Sequence, residues 1–250
     1  MLTEAEIQEL AALEAQVVPR RLALIRRVAA HRTRAFVPVF DQLCDPHNMS
    51  AVLRSAEAMG LETIHVVEGD IPFAGSRPVA RGAQRWMEVV THPSAAACVS
   101  ALHQEGYKVL VAALGGELGP QSLPDLRPVA VVFGNEHHGV SEEFRTLADG
   151  SYELPMFGFV ESLNVSVAAA LTAFAALQGL PRERPAVEVD RLLLRYLRIT
   201  TMTRREKQIA DGMRCEGADA VAPAAASAVV PGTEGHTPAP AVSATLGADG

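Results

Sequence analysis

Three cysteines, one tryptophan and 5% aromatic residues among 250 positions leave little material for several common kinds of site. Cys44, Cys98 and Cys215 are odd in number, far apart and without a CxxC pair, so spacing supports neither a disulfide framework nor a zinc cluster, and no metal is expected. The longest nearly apolar run, Val165 to Leu177, is too short to span a bilayer. The N-terminal MLTEAEIQEL carries three acids and has no apolar segment of the signal-peptide kind. A cytoplasmic protein without a membrane partner is expected. No GxGxxG follows the first strand-like run, and the only glycine cluster, GGELG at 115–119, opens no helix, so a dinucleotide fingerprint is missing. Walker A and GxSxG are missing too, and Ser162 has no His and Asp at a hydrolase spacing. What is present is a globular composition, 48% hydrophobic and 20% charged, ample for a sizeable core.

The net charge of −7 is unevenly spread. Residues 1–14 carry four acids and no base, whereas residues 15–40 carry six arginines and no acid. The middle, 41–181, has 7 bases against 16 acids, 182–214 has nine bases against five acids, and 215–250 has four acids alone. Two basic wings thus flank an acidic middle. Such runs read either as solvated helix faces or as a grip on a phosphate backbone.

Thr3 with Glu6 forms a capping box for a first helix to about Gln16, and Pro19 suits the first turn of a second helix to about Arg32. From Phe36 short β-branched runs alternate with helices. FVPVF, TIHVV, MEVV, YKVLVAAL, VAVVF and SYELPM read as strands; helices follow at NMSAVLRSAEAM, SAAACVSALHQE, SEEFRTLA and NVSVAAALTAFAALQ, three of them stopped by Gly60, Gly106 and Gly179. The expected class is α/β, a mostly parallel sheet flanked by helices. Basic helices are expected at 187–198 and 203–213, and the Ala/Pro-rich segment from Glu216 should be disordered. The organisation predicted is a helical basic N-terminal extension (1–34), a central domain (35–180), basic C-terminal helices (181–215) and a disordered tail (216–250).

Three segments fall at the carboxyl ends of strands, where open α/β sheets place ligands: Cys44–Arg54, Gly134–Gly139 and Pro155–Val165. Asn48 reads as a helix cap, with Arg54 six residues on and off the apolar stripe. Gly134 and Gly139 bracket Asn135 and Glu136 in a turn that brings backbone close to a ligand. Asn164 reads as the cap of the Ala-rich helix. Taken singly, each also reads as an ordinary cap or loop.

Taken together, in this order, they resemble the TrmH-like branch of the SPOUT family of RNA ribose methyltransferases. Its three motifs are matched by NMSAVLRSAEAMG, VVFGNEHHGVSEE and LPMFGFVESLNVSVAAALTAF, with DPHN before the first and RGAQRW at 81–86. The resemblance implies a SPOUT-type fold with a C-terminal deep trefoil knot, S-adenosylmethionine as cofactor, a homodimer with shared active sites, and an RNA substrate. By position, Ala112, Gly134, Leu154, Met156 and Leu163 would contact the cofactor, largely through backbone. Arg54 would face the ribose 2′-hydroxyl and a phosphate, with Asn48 holding it and Glu136, Ser162 and Asn164 shaping the site. Arg20, Arg21, Arg26, Arg27, Arg32 and Arg34 would bind RNA. The short N-terminal extension resembles the tRNA-specific members that modify the D-loop guanosine. Another tRNA position or ribosomal RNA is the alternative substrate, and a non-catalytic RNA-binding relative is a distant third reading.

Overall fold

A computed structural model describes residues 2–43, 45–69, 82–135, 138–182 and 184–202. Glu136, the helix expected at 203–213 and the tail at 216–250 lie outside the described residues. The six apolar runs form β1 (Phe36–Asp41), β2 (Thr63–Val67), β3 (Glu88–His92), β4 (Lys108–Ala112), β5 (Val129–Phe133) and β6 (Gly150–Tyr152). All pairings are parallel, in the order β3-β2-β1-β5-β4-β6. β1, β2 and β5 are buried along their whole length, as parallel strands covered on both faces must be.

Period-two alternation sorts the side chains onto two faces. Phe36, Phe40, Ile64, Val131, Phe133 and Tyr152 pack under α3 (Pro46–Ala58) and, further along the chain, an Ala-rich helix at Val165–Ala176. Val37, Val39, Val109, Ala130 and Val132 pack under α4 (Ala95–Gln104) and α5 (Glu142–Leu147). The Ala-rich helix, α6, buries Ala169, Ala173 and Ala176, small side chains that let it close on Val52 and Ala56 of α3. β6 is shorter than the expected SYELPM strand, because after Tyr152 the chain leaves the sheet and Pro155 has no N–H for a ladder.

The N-terminal helices α1 (Glu4–Glu14) and α2 (Pro19–His31) do not stand apart from the C-terminal helix α7 (Ala186–Thr201). Ile25 and Ala29 of α2 form a buried cluster with Leu192, Leu193, Tyr196 and Leu197 of α7, flanked by Leu10 and Leu13. The capping box of Thr3 and Glu6 is present.

This packing corrects one of the proposed RNA contacts. Arg32 is 1% exposed, and its guanidinium donates to the Tyr196 hydroxyl (2.9 Å), the Glu57 and Leu61 carbonyls (3.1 and 3.0 Å) and the Glu57 carboxylate (2.9 Å). It is an internal clamp between α2, α3 and α7 and cannot meet a phosphate. Arg34 is exposed, and its guanidinium pairs with Glu62 (3.0 Å), Glu88 (3.3 Å) and Glu105 (3.9 Å). Arg20, Arg21, Arg26 and Arg27 remain exposed on α2. Arg26 pairs there with Glu14 (2.7 Å), and Arg21 lies over the Trp86 ring, 5.7 Å from its centroid.

On the second face of the sheet, burial next to His92 and Arg34 pushes the His65 imidazole down to about 4. Burial, with nearby Asp41, pushes the Cys98 thiol up to about 12. Both are therefore uncharged in the core at neutral pH. Among the described residues no helix is long and apolar enough to cross a membrane.

Candidate active site

The carboxyl ends of β4, β5 and β6 open into a cavity of about 680 Å³, within the range of pockets that hold a nucleoside-sized ligand. Its walls are Ala112–Leu114, Phe133–Asn135, Gly139–Val140, Tyr152–Leu154 and Met156, closed by Glu161–Val165 and Ala168. All five residues expected at the cofactor, Ala112, Gly134, Leu154, Met156 and Leu163, line it. Most of the wall is backbone or small apolar side chain, which suits recognition of a flat ring by main-chain amides and carbonyls. The charged lining residues are Glu153, Glu161 and Arg145, whose Nε donates to the Val140 carbonyl (3.1 Å). Burial pushes the Tyr152 phenol up, so this floor residue stays protonated; it is hydrogen-bonded to the Thr172 hydroxyl at 3.2 Å.

Gly134 is required for a reason other than ligand approach. A Cβ there would lie 1.9 Å from the Gly139 carbonyl carbon and 2.1 Å from the Val140 nitrogen. The loop folds back on itself through Asn135 N–H to Gly139 O (3.0 Å) and Gly139 N–H to Asn135 O (2.9 Å), with Gly139 at φ +69°. Two residues at the end of β1 anchor this loop, and the sequence alone did not single them out. The Asn135 amide donates to the Gln42 carbonyl (2.8 Å), and the Ser141 N–H at the start of α5 donates to the buried Asp41 carboxylate (2.7 Å). Gln42 sits at φ +52°, an uncommon conformation for a residue with a side chain, of the kind that clusters near functional sites. Its signal in sequence is faint: a polar pair, Asp41 and Gln42, ending an apolar strand.

The cap expected at Asn48 belongs to Asp45, whose carboxylate accepts from the His47 N–H (2.8 Å) with Pro46 in the first turn. Asn48 lies instead inside the first turn of α3. Asn48 is buried, and its Oδ1 accepts from Asn164 Nδ2 at 2.8 Å. Asn164 caps α6 as expected, its Oδ1 accepting from the Ser166 N–H (2.9 Å) and hydroxyl (2.6 Å). Its amide is thus fixed at both ends, which joins the first motif to the third across α3 and α6. Ser162 lies beside it on the cavity wall. Arg54 is not brought into this cluster. It is exposed on α3, about 120° round the helix from Asn48, and makes no hydrogen bond or ion pair with a described residue.

Residues 35–174 match the model of the SpoU rRNA Methylase family. A tRNA (guanosine(18)-2'-O)-methyltransferase of Escherichia coli K12 is 33% identical over 159 residues, 63% of this chain and 69% of the relative. Its counterpart from Thermus thermophilus is 36% identical over 155 residues, 61% of this chain and 79% of the relative. Among solved structures, the A. aeolicus TrmH/SpoU tRNA modifying enzyme aligns with a TM-score of 0.56 at 22% identity, over 84% of this chain and all of that one, which supports the fold. With the family model covering 140 of 250 positions, from residue 35 to residue 174, the chain belongs to the SpoU rRNA Methylase family.

Proposed function

We propose that this protein is an S-adenosylmethionine-dependent RNA ribose 2′-O-methyltransferase whose substrate is tRNA, modified at the guanosine that gives the two curated relatives their name. The observation that carries this reading is the cavity at the ends of β4, β5 and β6, walled by all five expected cofactor residues and adjoined by the locked Asn48–Asn164 pair. Two carboxylates and one guanidinium line it, the charge counterpart of a ligand with a sulfonium, an ammonium and a carboxylate. When bound, that ligand supplies an electrophilic methyl group. The chain's own residues have the task of orienting the ribose oxygen and easing loss of its proton. Arg54 is assigned to orient the 2′-hydroxyl and stabilise developing charge. A guanidinium offers donors and no acceptor, so proton removal is assigned to an adjacent substrate phosphate. Asn164, Ser162 and Glu136 are assigned to shape the site, and Asn48 to fix Asn164. Mapping ribose methylation in RNA from a deletion strain tests the reading: loss confined to one D-loop guanosine of tRNA supports it. Loss from ribosomal RNA would favour the alternative suggested by a 35% identical 23S rRNA (guanosine-2'-O-)-methyltransferase of Xanthomonas campestris, and no loss would defeat both.

Four exposed arginines of α2 are the proposed RNA grip. Replacing Arg20, Arg21, Arg26 and Arg27 by Gln should weaken tRNA binding and flatten its dependence on salt by up to about 0.7 to 0.9 log units of slope per lost phosphate contact. Cofactor affinity should not move, and stability should change by less than about 0.5 kcal/mol. Identical slopes for the two proteins would return this helix face to ordinary solvated surface.

The active form is proposed to be a homodimer. Phe157 (97% exposed), Phe159, Val160 and the outer face of α6, with Val167, Leu171 and Phe174 (61% exposed), offer water an apolar patch that a second copy would cover. Light scattering should give twice the chain mass of 26.6 kDa for the native protein and the single mass for Phe174→Glu. A native monomer at micromolar concentration would end this proposal. A C-terminal deep trefoil knot is also assigned to the chain. In support, the segment after β4 presses on β6, where a Cβ at Gly116 would lie 2.5 Å from the Tyr152 carbonyl carbon. A crystal structure tracing residues 113–180 would decide it.

A further inference from the structure

At the opposite edge of the sheet from the cavity, three elements converge on one point. His65 comes from the middle of β2, His92 is the last residue of β3, and Cys98 lies in the first turns of α4. One potential ligand atom from each lies within 4.8 Å of the other two. His92 Nε2 and His65 Nδ1 are 3.1 Å apart, with ring centroids separated by 5.0 Å. His65 and Cys98 are buried while His92 is only partly so, which gives an ion a way in past the His92 ring. The parallel register sets Val67 beside His92 and His65 beside Val90, and the cluster faces the apolar layer of Val67, Ala95 and Val99.

We propose that His65, His92 and Cys98 form a metal site for zinc, held by two imidazoles and one thiolate. Tetrahedral zinc with bonds of about 2.0–2.1 Å to nitrogen and 2.3 Å to sulfur needs ligand atoms roughly 3.3–3.6 Å apart. The nitrogen pair, at 3.1 Å, is already near that spacing, and the sulfur lies within 4.8 Å of a ligand atom of each histidine, within reach of side-chain rotation. Two imidazoles and a thiolate select zinc, cobalt or copper over magnesium or calcium, which take oxygen. No fourth side-chain ligand comes from the described His, Cys, Asp and Glu residues, so water takes the remaining position. Binding replaces the hydrogen bond between the rings by two metal–nitrogen bonds, forms a metal–sulfur bond and releases the thiol proton to solvent. The ion would tie the edge strand β3 to β2 and α4, a structural role independent of methyl transfer.

Cobalt is the probe. The purified full chain, stripped with a chelator, should take up one equivalent of Co²⁺ with a thiolate-to-cobalt charge-transfer band, which Zn²⁺ displaces, and Zn²⁺ should raise the melting temperature by several degrees. Cys98→Ser should lose the band. His92→Ala, a change at a partly exposed position and so the safer variant for folding, should weaken binding at least tenfold. Methyltransferase activity of the zinc-free protein should equal that of the loaded one. A wild-type protein without the charge-transfer band, or a Cys98→Ser or His92→Ala protein that binds Co²⁺ as tightly as wild type, would overturn the site.

Discussion

Arg54→Ala should abolish methyl transfer, lowering kcat at least a hundredfold, while cofactor affinity and melting temperature should stay as in the native protein. The separation follows from where Arg54 sits. Its side chain is exposed, outside the cavity lining and without a partner among the described residues, so neither core nor cofactor should register its loss. Removing one preoriented donor from a site of developing charge costs about 2.7–4 kcal/mol, a hundredfold to a thousandfold in rate. Lysine at the same position keeps the charge but not the planar fork, and should restore only part of the activity. Single-turnover rates read the effect, with calorimetry and thermal unfolding as the controls. Activity within tenfold of native, about 1.4 kcal/mol of barrier, would remove Arg54 from the reaction.

The parallel sheet was readable because apolar runs and helix caps are local signals: FVPVF and VAVVF are short β-branched and aromatic runs of the kind that form buried strands, and Asn164 stands directly ahead of an Ala-rich run. Where reading failed, the deciding partner lay far along the chain. Arg32 looked like the other arginines in the same run. Its partners Glu57 and Tyr196 stand 25 and 164 positions away, and a charge count cannot pair across such distances. The loop anchors Asn135–Gln42 and Ser141–Asp41 span 93 and 100 positions. His65, His92 and Cys98 are scattered in the same way, on three elements, whereas ligand spacing rules search one segment. Asn48 was a different failure. DPHN holds two residues able to cap, and Pro46 in the first helical turn already marked Asp45 as the cap.

Gly134 gives the second large effect, and the structure changes its form. A residue that merely leaves room for an adenosine should show graded losses, with alanine tolerated better than valine. Here the atom that collides is Cβ itself, and it meets backbone, the Gly139 carbon at 1.9 Å, which no rotamer can relieve. Gly134→Ala and Gly134→Val should therefore fail alike. Each must push the 135–140 loop off its bonds to Gln42 and Asp41, so cofactor affinity falls at least tenfold in both. Overpacking costs about 1–3 kcal/mol even where side chains can yield, so both should also melt at lower temperature. Because such variants could simply misfold, Asn135→Ala supplies the gentler test. It removes the 2.8 Å bond to the Gln42 carbonyl without adding an atom, and should weaken cofactor binding in a protein that still folds. Calorimetry on the three variants distinguishes the accounts. Native affinity in Gly134→Ala with loss in Gly134→Val would mean that ligand size, and not the fold-back of the loop, is what this glycine serves. Native affinity in Asn135→Ala would show that the anchor to β1 plays no part in holding the cavity open.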